Sequence, residues 1–139
     1  MTLFISETEA QTVALAGRLA KRVKKGDVIT LYGTLGAGKT TFCRGFIQSL
    51  LPQTEVPSPT FTLLQTYETP DFPVFHFDMY RLKSPEEAYE IGIEDAFVDG
   101  VSLIEWPDKI QPILPKKQIR ITIEIIDGKR QIEIEGIDL

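Results

Sequence analysis

The chain has little cysteine, little histidine and no long apolar run, and each shortage excludes a class of protein. Cys43 is the single cysteine among 139 residues, which excludes an internal disulfide and a cysteine-based zinc site. His76 is the single histidine, so no cluster of histidines can bind a metal. The sequence has no apolar run of roughly 18 residues and no secretion signal at its start. We therefore expect a cytoplasmic protein with no membrane partner.

Positive charge is also in short supply. The chain has 15 lysines and arginines against 20 aspartates and glutamates, a net charge of −5. It therefore gains no bulk electrostatic attraction to nucleic acid or to an anionic membrane. We expect no strong direct binding of nucleic acid, so a partner would hold any RNA that the function involves. The length, with 42% hydrophobic residues, predicts a single domain over residues 1–139 with a buried core.

What the chain does have is a glycine-rich motif, Gly-Thr-Leu-Gly-Ala-Gly-Lys-Thr-Thr, at residues 33–41. It matches the phosphate-loop pattern G-x-x-x-x-G-K-[S/T] and stands between a predicted buried strand, residues 28–32, and a predicted helix, residues 41–51. Its glycines lack a Cβ, which lets backbone N–H groups approach phosphate oxygens. A loop that merely joins a strand to a helix is the alternative, but the fixed positions and their context favour a phosphate cradle.

Two side chains of this motif carry chemistry. Lys39 supplies a positive charge between the β- and γ-phosphates, and the Thr40 hydroxyl can ligate Mg²⁺. The helix that starts near Lys39 directs the positive end of its dipole at the bound anion. The motif therefore predicts a site for a nucleoside phosphate and a magnesium ion.

Two carboxylates could complete such a site. Asp78 ends a predicted strand over residues 74–78, and Glu105 ends another over residues 101–105. Ligands bind outside the carboxyl ends of strands in open α/β sheets, so both acids reach the site if their strands run parallel to the first. Each acid could otherwise be a solvated loop start or a helix cap. The phosphate loop favours the functional interpretation, because it needs a carboxylate for the metal and a group for the attacking water.

Thr60 is a third candidate, with two interpretations that the residues alone do not separate. It lies in Ser-Pro-Thr-Phe-Thr at residues 58–62, where we expect prolines to stiffen the chain and to leave its hydroxyl exposed. It could sense the γ-phosphate as a switch residue does, or simply open the following strand. We expect a hydrogen-bonded structural role for His76. Trp106, beside Glu105, could pack the core or shield the site, and core packing is the default.

The rest of the chain predicts one α/β unit. A capping box, with Ser6 as N-cap and Glu9 reaching back, predicts a helix over residues 7–24. Further predicted elements are strands at 61–67 and 74–78 paired as a hairpin, helices ending at Ile91 and spanning 93–97, and a C-terminal hairpin that turns at Asp127-Gly128.

Four blocks of the sequence resemble the bacterial TsaE family, small P-loop ATPases needed to make threonylcarbamoyladenosine in tRNA. The blocks are the phosphate loop at 33–41, Ser-Pro-Thr-Phe-Thr at 58–62, His-Phe-Asp-Met-Tyr-Arg-Leu at 76–82 and Ile-Glu-Trp-Pro at 104–107. They stand in the family's order, and the last three are far more specific than the phosphate loop. The resemblance implies the P-loop NTPase fold, an α/β protein whose mixed, mostly parallel sheet has helices on both faces and a C-terminal antiparallel hairpin.

The resemblance also implies ATP and Mg²⁺ as cofactors and a role for each site residue. Thr40 and Glu105 would hold Mg²⁺. Asp78 would assist hydrolysis beside Lys39, and Thr60 would be the switch residue. The nucleotide would contact Glu9, Gly33, Leu35, Gly36, Ala37, Gly38, Lys39, Thr40, Thr41, Asp108 and Arg130. The implied partners are TsaB- and TsaD-type subunits of the threonylcarbamoyl transferase complex, which the ATPase would reset between rounds of modification.

One position departs from the family, whose loop usually has an aspartate where this chain has Thr34. The position is a variable one in the motif, so the change bears on catalysis rather than on phosphate binding by the backbone.

Two other functions stay open, a small-molecule kinase and a nucleotide-sensing module without turnover. A kinase needs a lid with arginines over the transferred phosphoryl group, and no basic insertion lies between residues 52 and 100.

Overall fold

The computed structural model describes residues 1–34, 36–57 and 63–139, which are arranged around one mixed β-sheet. The strands are β1 (Thr2–Ser6), β2 (Val28–Tyr32), β3 (Leu64–Glu68), β4 (Pro73–Asp78), β5 (Val101–Glu105), β6 (Ile119–Ile126) and β7 (Lys129–Glu135). The helices are α1 (Glu9–Ala20), α2 (Lys39–Leu50), α3 (Glu87–Glu90) and α4 (Ile93–Asp99), and Pro107–Ile113 forms a 3₁₀ helix. No helix in these described ranges is both long and apolar enough to cross a membrane.

The sheet has the strand order β1-β7-β6-β2-β5-β4-β3. Its central strands β6, β2, β5 and β4 run parallel, whereas the pairs β1–β7, β6–β7 and β3–β4 are antiparallel. In this register Asp78 lies beside Glu105, and Glu105 lies beside Leu31. The strands that end in the two acids therefore run parallel to the strand before the phosphate loop, which meets the condition for both acids to reach the site.

The C-terminal hairpin is confirmed and is more than an addition to the sheet. Inward-facing isoleucines alternate with polar residues along both strands, which fits a sheet with one buried face. The turn is made by Asp127 and Gly128 at φ of 51° and 75°, the positive values that a tight hairpin turn requires. Because β6 also pairs in parallel with β2, the hairpin extends the central sheet.

Helices cover both faces of the sheet, and the sheet divides the core into two clusters. One cluster lies under α1 and α2 and includes Phe42, Phe46 and the isoleucines of β6 and β7. The other lies under α3, α4 and the 3₁₀ helix and includes Phe77 and Ile104. Neighbouring residues of β4 and β5 point to opposite faces, so each buried strand contributes to both clusters.

The predicted start of the first helix is wrong. Ser6 ends β1, and its hydroxyl pairs with that of Thr12 at 2.7 Å. Thr8 is the N-cap and accepts a hydrogen bond from the Gln11 backbone N–H at 3.2 Å. Ser6 and Thr8 are close in the sequence, and either hydroxyl could cap the helix. The pairing of β1 with β7 holds Ser6 in extended backbone, so Thr8 is the residue that caps. The strand β1 itself was not predicted, and the helix ends earlier than expected, at Ala20.

Two glycines test how closely α1 and α2 pack. A Cβ on Gly45 would lie 2.8 Å from the Cα of Val13 and 3.0 Å from its carbonyl oxygen, so Gly45→Ala forces the helices apart. We expect a loss of about 1–3 kcal/mol in the free energy of unfolding, measured by urea denaturation. Gly17→Ala is the matched control, because its Cβ would lie 3.4 Å from the Cβ of Ser49. Since alanine favours a helix over glycine, this variant should be at least as stable as the parent. Equal stability of the two variants would contradict the packing argument.

Candidate functional site

The phosphate loop connects β2 to α2 and passes close to β6. Gly36 and Gly38 have φ of 82° and 112°, values that side chains with a Cβ rarely adopt. At Gly33, a Cβ would lie 2.5 Å from the carbonyl oxygen of Ile123, so the close approach of the loop to β6 requires glycine there. Gly38 is the N-cap of α2, which places the free N–H groups and the positive end of the helix dipole at the mouth of the loop.

Lys39 is folded back onto this loop. Its Nζ donates a hydrogen bond to the Gly33 carbonyl oxygen at 2.7 Å and lies 3.4 Å from the centre of the Trp106 ring. The residue is 5% exposed, and burial lowers the pKa of its ammonium group although nearby carboxylates oppose the shift. The single buried lysine of the described core thus lies at the place where a phosphate charge would need it.

Thr40 and Glu105 meet where the start of α2 faces the carboxyl end of β5. The Thr40 hydroxyl donates to Glu105 Oε1 at 3.0 Å, and Glu105 is 3% exposed. A hydroxyl and a carboxylate are the hard oxygen ligands that Mg²⁺ takes beside phosphates. The two residues predicted as metal ligands are therefore in contact, and their chemistry fits that ion.

Asp78 lies on the neighbouring strand end, in register with Glu105. Its Oδ1 accepts a hydrogen bond from the backbone N–H of Tyr80 at 3.0 Å. The residue is 9% exposed, and desolvation raises the pKa of its carboxyl group, with the Glu105 charge adding to the rise. Asp78 is thus a partly desolvated acid at the edge of the site.

Two cavities flank the loop and share Gly36, Gly38 and Thr41. The cavity on the metal side has a volume of about 320 Å³ and is lined by Gly36, Gly38, Lys39, Thr40, Thr41, Asp78, Tyr80, Arg81, Glu105 and Trp106. The cavity on the other side, of about 310 Å³, includes Glu9 and Arg130 in its lining. The predicted residues outside the loop thus fall on both sides of it.

Three residues predicted for the site are not placed in either cavity. Asp108 is an exposed residue in the first turn of the 3₁₀ helix and lines neither cavity, although its charge acts on Lys39. Leu35 and Thr60 lie outside the described residues, so their predicted roles as phosphate-binding and switch residues stay predictions.

Sequence reasoning missed Tyr80 and Arg44 near the site and favoured core packing for Trp106. Trp106 is only partly buried, and its ring contacts both Lys39 and Tyr80, whose ring centre lies 4.9 Å away. A positive φ of 58° turns Trp106 out of the line of β5. Arg44 pairs with Glu9 across α1 and α2. Tyr80 and Trp106 carried a signal, since they lie close after the two acids in the family blocks at 76–82 and 104–107, whereas Arg44 carried none.

Cys43, His76 and Glu105 meet beneath the metal side of the site. All three are buried, and their ligand atoms lie within 4.8 Å of one another. Burial raises the pKa of the Cys43 thiol well above its ordinary value, so the thiol stays neutral and is a poor metal ligand. His76 Nε2 and Glu105 Oε2 already pair at 2.6 Å. We therefore interpret the trio as a buried cluster rather than a metal centre, in which His76 is hydrogen-bonded to Glu105, as predicted for that histidine.

The parallel central sheet, the glycine loop after β2 and the helix that follows define the class: this is an α/β protein with the P-loop NTPase fold. The family model for threonylcarbamoyl adenosine biosynthesis protein TsaE matches residues 6–132. A crystal structure of YdiB from Bacillus subtilis matches with a TM-score of 0.84 at 33% identity, covering 99% of this chain and 86% of that one.

Curated relatives agree with that match. The TsaE protein of Rickettsia felis is 44% identical over 131 residues, which are 94% of this chain and 77% of the relative. The TsaE protein of Bacillus subtilis is 39% identical over 129 residues, which are 91% of this chain and 80% of the relative. The chain therefore belongs to the TsaE family of tRNA threonylcarbamoyladenosine biosynthesis proteins.

The raised pKa of Asp78 predicts how stability depends on pH. Because the carboxyl group loses its proton at a higher pH in the folded than in the unfolded chain, rising pH through that interval destabilises the fold. Asp78→Asn removes this term and keeps an oxygen for the Tyr80 N–H. We expect the variant to gain stability over the parent between acidic and neutral pH in urea denaturation without nucleotide. Asp138→Asn, which removes an exposed carboxylate, is the control. An identical pH profile for Asp78→Asn and the parent would refute the shift.

Proposed function

We propose that this protein is a Mg²⁺-dependent ATPase that serves tRNA threonylcarbamoyladenosine synthesis by acting on the TsaB–TsaD transferase complex. The observation that carries the proposal is the contact between the Thr40 hydroxyl and the Glu105 carboxylate beside the phosphate loop. With Lys39 and Asp78 on the same cavity, the four groups supply the parts that hydrolysis of a nucleoside triphosphate requires.

Phosphate binding in this proposal begins with the loop. Backbone N–H groups of the glycine-rich turn and the start of α2 face the β- and γ-phosphates. Lys39 exchanges its bond to the Gly33 carbonyl oxygen for the phosphate oxygens, and the anion favours its charged form. Thr40 and Glu105 would hold Mg²⁺, which neutralises charge on the phosphates when bound.

Asp78 is the group we propose to handle the attacking water. It lies on the strand next to Glu105 and opens onto the metal-side cavity. A carboxylate with a raised pKa is a better proton acceptor than an exposed one, because its pKa lies closer to neutral pH. Its backbone bond to Tyr80 holds one oxygen and leaves the other for water or for the metal's ligand shell.

The nucleoside end would lie on the far side of the loop. Glu9 and Arg130 line that cavity, and the Arg44 ion pair holds Glu9 in place. The two residues offer an acceptor and a cation for polar groups of a ribose or a base, and Asp108 is a further proposed contact. The preference for ATP over GTP comes from the family resemblance.

The proposed partners are the TsaB- and TsaD-type subunits, which the ATPase would reset between rounds of modification. A net charge of −5 gives this chain no general attraction to tRNA, so the transferase complex would hold the RNA. We also propose a cytoplasmic location, because tRNA modification takes place there.

Binding can be tested with Lys39→Ala. Loss of one charged partner for the phosphates should weaken ATP affinity by about 10- to 100-fold. Trp106 is the single tryptophan and lies against Lys39, so its fluorescence should change on ATP binding to the parent. Lys25→Ala, which removes an exposed lysine from the segment before β2, at the opposite end of that strand from the phosphate loop, is the control and should bind as the parent does. Parent-like ATP affinity in Lys39→Ala would remove the phosphate-site assignment.

Turnover can be tested with Asp78→Asn in the presence of both partner subunits. We expect hydrolysis to fall by about 10²- to 10⁴-fold while Mg²⁺·ATP affinity stays within a few-fold of the parent. Formation of modified tRNA should fall in step. Full modification without hydrolysis would instead favour the nucleotide-sensing module, and ADP release that depends on a small-molecule acceptor would favour the kinase.

A further inference from the structure

His76 holds the second oxygen of the carboxylate on which the site depends. It lies on β4 two residues before Asp78, is fully buried, and places Nε2 at 2.6 Å from Glu105 Oε2. The other oxygen, Oε1, accepts the Thr40 hydroxyl at 3.0 Å. Glu105 is thus fixed at both oxygens by residues of two different elements, α2 and β4.

The hydrogen bond to Glu105 determines which tautomer of the His76 imidazole is present. An ionised carboxylate only accepts hydrogen bonds, so the imidazole must carry its hydrogen on Nε2 and donate it to Oε2. The bond satisfies an oxygen that is buried away from water and would otherwise lack a partner. It also restricts rotation of the carboxylate about its last torsion, which directs Oε1 towards Thr40.

Packing alone does not explain a histidine at this place. An apolar side chain would fill the space between the sheet and α2, whereas His76 leaves Nδ1 buried without a hydrogen-bond partner in the described part of the chain. Leaving one nitrogen unpaired is unfavourable, so the bond made by the other nitrogen is what distinguishes histidine from leucine here.

We propose that His76 is a positioning residue for the metal site: it orients Glu105 so that Oε1, together with the Thr40 hydroxyl, faces the Mg²⁺ that accompanies the nucleotide. The inference rests on the proposed function, since it concerns how the proposed metal ligands are held. Groups that orient ligands in this way commonly change metal affinity by about 10- to 100-fold when they are removed.

The experiment compares two substitutions at His76 with a control on the neighbouring strand. His76→Leu removes the donor and keeps an apolar side chain of similar reach, and His76→Gln offers an amide N–H to Glu105 in place of the ring. Ser102→Ala removes a buried hydroxyl of β5 that has no hydrogen-bond partner in the described part of the chain. The readout is the affinity of Mn²⁺, used in place of Mg²⁺, for each protein–ADP complex, measured by electron paramagnetic resonance. ADP affinity without metal is measured alongside.

We expect His76→Leu to weaken Mn²⁺ binding by about 10-fold or more while ADP affinity without metal stays unchanged. His76→Gln should recover most of the affinity, and Ser102→Ala should match the parent. Parent-like Mn²⁺ affinity in His76→Leu would overturn the inference. An equal loss of Mn²⁺ affinity in His76→Gln and Ser102→Ala would also overturn it, because that result would indicate a general disturbance of the core.

A second measurement needs no substitution at His76. Because the chain has a single histidine, ¹⁵N nuclear magnetic resonance of the imidazole gives one pair of ring signals. We expect the Nε2–H tautomer in the parent, and its proton should exchange slowly with water. Slow exchange should persist with Mg²⁺·ADP, and the exchange should become fast in Glu105→Ala. An Nδ1–H tautomer would overturn the inference even if His76→Leu fails to fold.

The outcomes also separate this inference from the proposed function. If Glu105→Ala lowers Mn²⁺ affinity and His76→Leu does not, Glu105 remains a metal ligand and only the positioning role fails. If the parent binds no Mn²⁺ with ADP, or Glu105→Ala binds it as tightly as the parent, the proposed metal site fails and the inference fails with it.

Discussion

The hydrogen bond between Thr40 and Glu105 is the interaction on which the rest of the site depends. It joins the first turn of α2 to the end of β5, two segments 65 residues apart in the chain. Because successive side chains of a strand alternate between faces, a shift of β5 by one residue would turn Glu105 away from α2 altogether. The parallel pairing of β5 with β2 and β4 therefore determines whether the loop has a carboxylate beside it.

The loop makes contacts with itself that a nucleotide would have to replace. Lys39 bonds to the Gly33 carbonyl oxygen and stacks on Trp106, so its charge is already partly compensated. Asp78 and Glu105 lie nearby as partly desolvated acids, which keeps the lysine from being an isolated buried charge. A bound phosphate would add negative charge to this site, which Lys39 and Mg²⁺ together would offset.

Local patterns predicted the elements that have a strong local cause. The alternating isoleucines and the Asp127-Gly128 turn predicted the last hairpin, and the phosphate-loop pattern predicted the strand and helix on either side of it. Prediction failed where two local solutions compete. Ser6 and Thr8 can both cap a helix, and the pairing of the unpredicted strand β1 with β7 selects Thr8. Trp106 looked like a core residue because its left-handed backbone is not visible in the sequence.

The sequence by itself determined the family, the phosphate loop and the acids that end two strands, because these depend on residue type and short spacings. Only the tertiary structure decided that Glu105, Thr40 and His76 form one hydrogen-bonded chain, and that Glu9 and Arg130 share a cavity across the loop from Asp78. Those contacts join residues from elements far apart in the chain, and strand order and register, which no local pattern encodes, bring them together.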